Sequence, residues 1–440
     1  MLSVGGLPRL EIAACACEIY WSARPGQCPL YGGLDDNFAL TLCFGRLSGN
    51  GMQSVDVVIV GAGMAGASAA YHLAPHRQVV VLERETQPGY HSTGRSAALY
   101  SQTYGNQTVR NLTRASWDFF NKPPPGFSAT PLLSPRGALF VGAWDDEPAL
   151  RQMLCEMQSQ GASVCWLDPD EVMRMVPVLR RGSVCGGVFE PDAMDMDVHA
   201  IHQGFLRSAR LLGAQLVCDA QCLSLQASGS GWRVRTAQQE YQTKVVINAA
   251  GAWCDALAQL AGVAAIGLVP KRRTAFLADP PPGVDCAKWP LVIDAQERFY
   301  FKPDAGCLLM SPANEDPVVA QDVQPEELDV AIAVERIEAV TDLQVRRIRR
   351  KWAGLRSFVA DKTPVVGYDP EAPGFFWLAG QGGYGIQTAP AMGLLASTLV
   401  TGGVLPNHLA SCGVRSQDLA VGRVALASAR LATDSSRLLP

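Results

Sequence analysis

The chain has 440 residues, of which 48% are hydrophobic and 18% charged, values that are ordinary for a globular protein of two domains. A formal net charge of −4 provides no basic surface for nucleic acid, so we exclude nucleic-acid-binding functions. The 13 cysteines include no Cys-x-x-Cys pair, which disfavours a disulfide framework and structural zinc and favours a reduced, cytoplasmic setting with no metal site.

Residues 1–51 show no sustained periodicity and lack the basic and apolar regions of a signal peptide. Met52 lies just before the first recognisable strand. We therefore expect residues 1–51 to be an extension that is non-essential or disordered, or a misassigned start. The apolar stretch from Val57 to Ala74 contains three glycines, which favour a strand, turn and helix over a membrane span. No other stretch is long enough to cross a bilayer.

A dinucleotide-binding unit is the first element predicted along the chain. Val57–Val60 is typical of a buried strand, and GAGMAG (residues 61–66) follows it directly. The glycines allow a tight turn, a close approach of backbone to pyrophosphate, and packing of the helix on the strand. The helix N-terminus then offers N–H groups to the phosphates. A second strand ends near Glu83, 22 residues after the first glycine, where an acid binds a ribose hydroxyl. This acid disfavours NADP and leaves FAD or NAD.

Two later segments of the chain also predict a strand that leads through a turn of small residues into a helix. Residues 245–257 predict a strand, a small-residue turn and a helix, and residues 375–393 predict an aromatic strand, a glycine cluster and a helix. A helix that starts in such glycines directs N–H groups at an anion, such as the N1/O2 region of a flavin. Further strands are predicted over 231–247 and 297–303, and a helix over 325–343. Three strand-to-glycine junctions, with the polar loop at 84–100, indicate one large cofactor held by separate segments.

These segments belong to a series of motifs that resembles the D-amino-acid oxidase superfamily of flavoproteins, and most closely the bacterial FAD-dependent D-arginine dehydrogenases. The motifs occur in one order between about residues 52 and 410: residues 82–98, PLLSPR (131–136), PVLRR (177–181), NAAGAWCDA (248–256), PKRR (270–273), KPDAG (302–306), WAGLRSFVAD (352–361) and QGGYGIQT (381–388). The resemblance implies an α/β fold in which a Rossmann-like FAD-binding domain is interleaved with an α+β substrate domain built on a mixed sheet. The FAD-binding domain is expected at 52–104, 192–263 and 352–415, the substrate domain at 105–191 and 264–351, and a C-terminal tail at 416–440.

The resemblance also implies the residues that bind the cofactor and the substrate. FAD is expected to bind noncovalently, since no cysteine lies in residues 352–364, where some relatives attach flavin. Its predicted contacts are Gly61, Gly63, Met64, Ala65, Gly66, Glu83, Arg84, Ser92, Ser96, Ala97, Cys222, Ala250, Gly251, Trp253, Gly380, Gly382, Gly383, Tyr384, Gly385, Ile386 and Gln387. The predicted substrate pocket consists of Leu99, Ala138, Leu291, Ile293, Gly383 and Gln387.

The predicted chemistry is oxidation of an amino acid at Cα. Arg273 and Arg356 are expected to clamp the carboxylate, since a guanidinium binds it through two parallel hydrogen bonds, and Tyr300 and Tyr104 are expected to add hydroxyl donors. Hydride would pass from Cα to flavin N5, and no general base is required if the amine binds neutral, held by the carbonyl of Gly383. The imino acid would hydrolyse to a 2-oxo acid and ammonia. The alternatives are a solvated basic run for Arg273, a structural buried charge for Arg356 and packing roles for the tyrosines.

Two departures from the arginine-specific relatives change the expected substrate. Those relatives carry a glutamate that binds the substrate guanidinium where this chain has Ala138, and a histidine where it has Leu99. The lost carboxylate removes a charge-assisted partner for a cationic side chain. We therefore expect a D-amino-acid dehydrogenase of amino-acid catabolism that prefers neutral or apolar D-amino acids.

Three other functions stay open at this point. The flavin could react with oxygen as an oxidase, although a quinone or protein electron acceptor is the expectation. The substrate could be a secondary amine or cyclic imino acid such as proline, sarcosine or pipecolate. The chain could also be a non-catalytic FAD- or NAD-binding partner subunit. A loose membrane association through the electron acceptor is an alternative to a purely cytoplasmic location, and the sequence leaves the oligomeric state undetermined.

Overall fold

The computed structural model describes residues 51–423. The extension predicted at the N-terminus and the part of the predicted tail from residue 424 onward lie outside the described residues.

Strands in this part of the chain are short, apart from four that run for eight residues or more. They are β1 (Gln53–Val60), β2 (Val79–Leu82), β3 (Leu99–Tyr100), β4 (Leu133–Pro135), β5 (Ala138–Val141), β6 (Cys165–Leu167), β7 (Gly187–Glu190), β8 (Met194–Met196), β9 (Gln215–Val217), β10 (Ser224–Ser228), β11 (Gly231–Arg235), β12 (Glu240–Asn248), β13 (Val269–Ala278), β14 (Leu291–Asp294), β15 (Tyr300–Asp304), β16 (Cys307–Ser311), β17 (Asp316–Pro317), β18 (Ile348–Phe358), β19 (Val365–Tyr368) and β20 (Phe375–Ala379).

Nine α-helices lie between groups of these strands or after the last strand in residues 51–423. They are α1 (Met64–Leu73), α2 (Gln107–Asn121), α3 (Glu147–Ser159), α4 (Pro169–Met175), α5 (Val198–Leu211), α6 (Cys254–Leu260), α7 (Glu327–Val340), α8 (Ala389–Thr401) and α9 (Asn407–Ser411), with short 3₁₀ turns at Trp144–Asp146, Gly251–Trp253 and Ser416–Asp418.

The first sheet has eight strands, in the order β10-β11-β12-β1-β2-β9, with β20 beside β12 and β19 beside β20. β1 is central and parallel to both neighbours, so that Val57–Val60 pairs with Val79–Leu82 on one side and with 245–248 on the other. The continuous apolar run of β1 is explained by this position, since a central parallel strand is covered on both faces. α1 and α8 pack on one face of the sheet.

The second sheet has nine strands, in the order β17-β13-β16-β15-β14-β5-β7-β6, with β18 also paired to β13. The pairing of β5 with β14 is parallel and the other pairings are antiparallel, so this is a mixed sheet. A separate sheet of three short strands, β3-β8-β4, lies beside it. The predicted α/β class with a mixed-sheet substrate region is confirmed.

Several predicted elements are confirmed with altered bounds. The strand predicted over 231–247 is the hairpin β11 and β12, the strand over 297–303 is β15, and the helix over 325–343 is the shorter α7. The helix expected to start within the glycine cluster after β20 begins only at Ala389. Gly380 and Gly382 have φ of +70° and +52°, which an α-helix does not accommodate, so the cluster forms a turn instead.

All eight strands of the first sheet fall in the segments predicted for the FAD-binding domain. β18 runs across the boundary predicted between residues 351 and 352, because it pairs along its whole length with β13 of the second sheet. The division into two domains stays a prediction.

Candidate active site

A cavity of about 620 Å³ is lined by residues of both large sheets. All of the predicted catalytic and substrate-pocket residues line it: Arg273, Arg356, Tyr300, Tyr104, Leu99, Ala138, Leu291, Ile293, Gly383 and Gln387. All of the predicted cofactor residues line it as well, except Gly66 and Tyr384. The structure therefore brings the set together, while the role of each residue stays a prediction.

The glycine motif after β1 forms a turn that side chains would obstruct. Gly61 has φ of +105°, and a Cβ there would lie 2.4 Å from the carbonyl oxygen of Ala249. A Cβ at Gly66 would lie 1.9 Å from the carbonyl oxygen of Gly61, so Gly66 is needed for packing of helix on turn rather than for lining the cavity. Gly63 is the N-cap of α1 and opens the helix onto the cavity. The turn thus exposes backbone and the positive end of a helix dipole to a ligand.

Glu83 directly follows β2 and is buried. Its Oε2 accepts a hydrogen bond from the N–H of Ala62 at 2.9 Å, and its Oε1 accepts one from the N–H of Glu85 at 3.0 Å. Each carboxylate oxygen keeps a further lone pair. Glu83 therefore joins the glycine turn to the second strand and still presents an acceptor to the cavity, where the sequence predicted a ribose contact.

The loop after β2 is anchored to β18 of the second sheet and to the start of α1. Ser92 Oγ donates to the carbonyl of Leu355 at 2.7 Å. Thr93 Oγ1 accepts from the N–H of Met64 at 3.0 Å, so one of the N–H groups at the start of α1 is occupied by the loop. Thr93 was missed by the sequence analysis, and the Ser-Thr pair in the loop was the available signal.

Arg84 closes the cavity at its nucleotide end. Its guanidinium lies over the indole of Trp253, 4.0 Å from the ring centroid, and its Nε lies 2.8 Å from Oε1 of Glu85. Cys222 also lines this end, and burial raises the pKa of its thiol to about 11, so the group is a neutral thiol at neutral pH.

The substrate end contains two guanidiniums on neighbouring strands. Arg273 of β13 pairs with Gly354 of β18, two residues before Arg356, so both side chains point into the cavity. Arg356 Nη1 donates to Tyr104 Oη at 3.2 Å. Arg273 is 8% exposed; its Nη2 donates to Glu315 Oε1 at 3.2 Å, and its buried Nε has no hydrogen-bond partner within the described residues.

Four cations, Lys271, Arg273, Arg356 and Lys362, act on Glu315, and Glu297 is a second carboxylate that acts on Arg356. Glu315 also pairs with Lys271 at 3.0 Å and lies 3.7 Å from Lys362, so it cannot balance both arginines. Burial, followed by the charge of Arg356, lowers the pKa of Arg273. Burial by itself raises the pKa of Tyr300, but the charges of Arg356 and Arg273 outweigh it and bring that pKa below its usual value. The cluster is suited to an anion that supplies the missing charge.

The turn after β20 lies against this cluster. A Cβ at Gly383 would be 2.8 Å from Tyr104 Oη and 3.1 Å from Arg356 Nη1, so only glycine leaves both groups in place. Gln387 is buried; its Oε1 accepts from the N–H of Ser101 at 3.2 Å and its Nε2 donates to Thr113 at 2.8 Å. Tyr384 packs against the ring of Tyr104 with centroids 5.0 Å apart and supports it from behind.

The part of the remaining wall that β3, β5 and β14 contribute is apolar. Ala138 of β5 pairs with Leu291 of β14, and Phe140 pairs with Ile293, so these four side chains share one face of the second sheet. Leu99 of β3 lines the cavity from the small sheet. These apolar residues are those that the sequence predicted for the pocket, with Phe140 in addition. Phe140 lies two residues after Ala138, and the alternation of side chains along β5 could have revealed it.

Lys302 is the notable residue that the sequence analysis missed at this end of the cavity. It lies in β15 two residues after Tyr300, on the same face, and lines the cavity. The period of two along a strand was the signal that could have found it.

Residues 51–423 lack two features, a helix able to span a membrane and a cluster of metal ligands. No helix there has both the length and the apolar character to cross a bilayer. No group of three or more potential metal ligands occurs in the same residues.

Known proteins share this sequence pattern and fold. A family model described as "DAO: FAD dependent oxidoreductase" matches residues 56–399. The chain is 24% identical over 417 residues to FAD-dependent oxidoreductase domain-containing protein 1 of Xenopus laevis, covering 82% of each chain. It is 24% identical over 361 residues to a glycine oxidase of Bacillus licheniformis, covering 79% of this chain and 93% of that protein. The crystal structure of L-proline dehydrogenase from P. horikoshii has the same fold, with a TM-score of 0.71 and 22% identity over 81% of this chain and 96% of that one.

Proposed function

The chain belongs to the DAO family of FAD-dependent oxidoreductases, and we propose that it oxidises the Cα–N bond of D-amino acids, so that the imino acid is released and hydrolyses to a 2-oxo acid and ammonia. The observation that supports this reaction is the pair of buried guanidiniums, Arg273 and Arg356, which face one cavity with Tyr300 and Tyr104 and share the carboxylate of Glu315 with two lysines. Within the family, we propose that the chain is most similar to the D-arginine dehydrogenases.

FAD is the cofactor of this family, and the cavity fits it. The glycine turn at Gly61, the N-terminus of α1 and the carboxylate of Glu83 form a cradle in which added side chains would collide with backbone. The cavity continues from this cradle to the arginine pair. FAD supplies a two-electron acceptor when it is bound. Noncovalent attachment is the form we propose.

Arg356 and Arg273 hold the substrate carboxylate. Arg356 is already oriented by its hydrogen bond to Tyr104, and Arg273 has a buried Nε that a carboxylate oxygen would satisfy. A carboxylate between two guanidiniums gains charge-assisted hydrogen bonds and relieves the repulsion between the cations. The clamp thus fixes Cα in position before any bond is broken.

The backbone of Gly383 lies beside the clamp and is the group we propose for the substrate amine. Its carbonyl can accept a hydrogen bond from a neutral amine, as the sequence predicted. Tyr104 and Tyr300 complete the polar rim of this part of the cavity. No side chain needs to remove a proton if the amine arrives neutral.

The side-chain pocket supports a preference for neutral or apolar D-amino acids. Leu99, Ala138 and Leu291 provide an apolar surface where the arginine-specific relatives have a glutamate and a histidine. A cationic side chain would have to be buried there without a carboxylate partner, which is unfavourable. D-Arginine and D-lysine should therefore be poorer substrates than D-leucine or D-methionine.

A secondary amine or cyclic imino acid is the second candidate substrate. The same arginine clamp would bind the carboxylate of proline, and the apolar wall of Ala138 and Leu291 would accept its ring. The L-proline dehydrogenase with this fold acts as a precedent for such a reaction on a related scaffold.

The test is an anaerobic screen of the yellow protein with D-amino acids, L-amino acids, proline and sarcosine. Bleaching of the flavin absorbance by D-amino acids supports the proposal. Bleaching by proline or sarcosine alone would favour the second candidate. Failure of every amine to bleach the flavin would instead indicate a non-catalytic partner subunit. A quinone or protein electron acceptor and a cytoplasmic location stay predictions.

A further inference from the structure

A row of side chains crosses the second sheet at the far end of the substrate pocket. Ala138 of β5 pairs with Leu291 of β14, and Val292 pairs with Phe301 of β15. Continuing this register by one residue places Lys302 opposite Leu291. Residues opposite one another point to the same face, and all three line the cavity. At the usual strand spacing, Lys302 starts about 10 Å from Ala138, within reach of the same pocket.

The ammonium of Lys302 is buried at this wall. The residue is 5% exposed, and its Nζ donates to Asp195 Oδ1 at 2.6 Å. Asp304 Oδ1 lies at 4.0 Å, beyond hydrogen-bond distance. A lysine ammonium has three donors, and Asp195 is its one hydrogen-bond partner in the part of the chain that the structure describes. Two donors therefore remain for a ligand.

Asp195 does not neutralise this site by itself. Its Oδ2 also accepts from Arg136 Nε at 2.6 Å, so one carboxylate is shared by two cations. Asp195 is paired with Leu99 across the small sheet, and neither it nor Arg136 lines the cavity. Of the two cations that share Asp195, only Lys302 lines the cavity, so it is the donor that a ligand can reach.

Apart from Asp195 and Asp304, the carboxylates near this row do not pair with Lys302. Glu190 pairs with Ala138 at the other end of the row, but its oxygens accept hydrogen bonds from Ser101, Thr103 and the N–H of Gln102, and it does not line the cavity. Among the cavity-lining residues, Glu83 lies at the glycine turn and Glu297 interacts with Arg356 at the clamp end.

We propose that Lys302 determines substrate specificity by donating a hydrogen bond to the end of the substrate side chain, so that the preferred D-amino acid ends in an acceptor oxygen, as in D-glutamine or D-glutamate. This inference rests on the proposed D-amino-acid oxidation and replaces the apolar preference proposed above with a preference for side chains that end in an acceptor oxygen. It also means that D-arginine meets a cation where the arginine-specific relatives offer a carboxylate. The pocket then disfavours D-arginine in two ways: Lys302 repels its guanidinium, and no carboxylate is present to pair with it.

The experiment measures kcat/KM with an artificial electron acceptor for D-glutamine, D-glutamate, D-norleucine and D-arginine on the FAD-loaded full chain. Wild type should prefer D-glutamine and D-glutamate over D-norleucine by about tenfold or more, the value of one good hydrogen bond to a charged group. Lys302→Met should reduce that preference to about unity through KM, and D-norleucine should change by less than about threefold. D-Arginine should gain relative to D-norleucine.

Two further variants keep the result interpretable. Lys302→Met leaves Asp195 paired with Arg136, so the carboxylate is not left without a cation. Lys302→Gln retains an amide donor for Asp195 but removes the charge, and should lower the rate with D-glutamate more than that with D-glutamine. Lys122→Met removes an exposed lysine at the end of α2 and is the matched control, expected to behave as wild type.

The outcomes separate the two proposals. A wild type that prefers D-norleucine, or a Lys302→Met variant that loses activity equally on all four substrates, overturns the assignment of Lys302 and leaves D-amino-acid oxidation intact. Flavin that no D-amino acid reduces overturns the proposed function itself.

Discussion

Arg356 Nη1 lies 3.2 Å from Tyr104 Oη, so a strand of the second sheet and the loop that follows β3 are joined at the substrate end of the cavity. The contact spans 252 residues of sequence. It fixes the direction of the Arg356 side chain, because the phenolic oxygen accepts from a guanidinium that has few other partners. In the carboxylate-binding role proposed for it, Arg356 is oriented before a substrate arrives, and its removal should affect catalysis more than folding.

Arg356→Met and Arg273→Met should each lower kcat/KM by at least about two orders of magnitude, because a lost charged contact costs roughly 3 kcal/mol. FAD content, measured by absorbance, should stay near that of wild type. Arg349→Met is the matched control, since Arg349 lies on the same strand but pairs at the surface with Asp279. A near-normal kcat/KM in either variant would show that the substituted arginine does not bind the substrate carboxylate and has a structural role only.

Gly383→Ala should lower kcat/KM by about tenfold or more, because its Cβ would lie 2.8 Å from Tyr104 Oη and displace the clamp. Gly403→Ala provides the control: the nearest atoms to its Cβ are 3.6 Å away, so it should be neutral. Steady-state rates with one D-amino acid decide the comparison. Equal activity of the two variants would contradict the placement of Gly383 against the clamp.

FAD should be released intact by heat or acid, because residues 352–364 contain no cysteine to which flavin could be attached. The measurement is chromatography of the supernatant after precipitation of the protein. Flavin that stays on the denatured chain would show a covalent bond and overturn the noncovalent assignment.

Ala138→Glu should raise kcat/KM for D-arginine relative to D-leucine by about tenfold or more, because it restores a carboxylate to the apolar wall. Ala138 is buried and lines the cavity, so the new side chain has no other direction to take. Both substrates are measured on both proteins. A wild type that already prefers D-arginine strongly would mean that another carboxylate reaches the guanidinium.

The activity should fall at alkaline pH as Tyr300 ionises, and Tyr300→Phe should move this fall to higher pH. Burial alone raises the pKa of Tyr300, but Arg356 and Arg273 lower it below its usual value, so the anion forms earlier than in a free tyrosine. A phenolate would compete with the substrate carboxylate for the same cations. The check is the pH profile of kcat/KM for the two proteins; identical alkaline limbs would exclude Tyr300 as the titrating group.

The sequence by itself determined the nucleotide-binding part of this protein. The apolar run of β1, the glycines that follow and the acid after β2 lie within about 30 residues, and short-range sterics and backbone hydrogen bonding dictate their structure. The helix α7 and the strand character of residues 231–247 were predictable for the same reason, because periodicity is a local property, whereas the turn that divides those residues into β11 and β12 was not predicted. The resemblance of motifs supplied the order of the other segments and the identity of the clamp.

Only the tertiary structure decided which side chains meet. The register of β13 on β18 puts Arg273 beside Arg356, and the register of β5, β14 and β15 puts Ala138 and Lys302 in one row. Cross-strand register is fixed by burial of the whole sheet face and not by any one segment, so no local pattern encodes it. The alternation along β15 places Lys302 on the same face as Tyr300, but its position opposite Leu291 follows only from the pairing of β15 with β14.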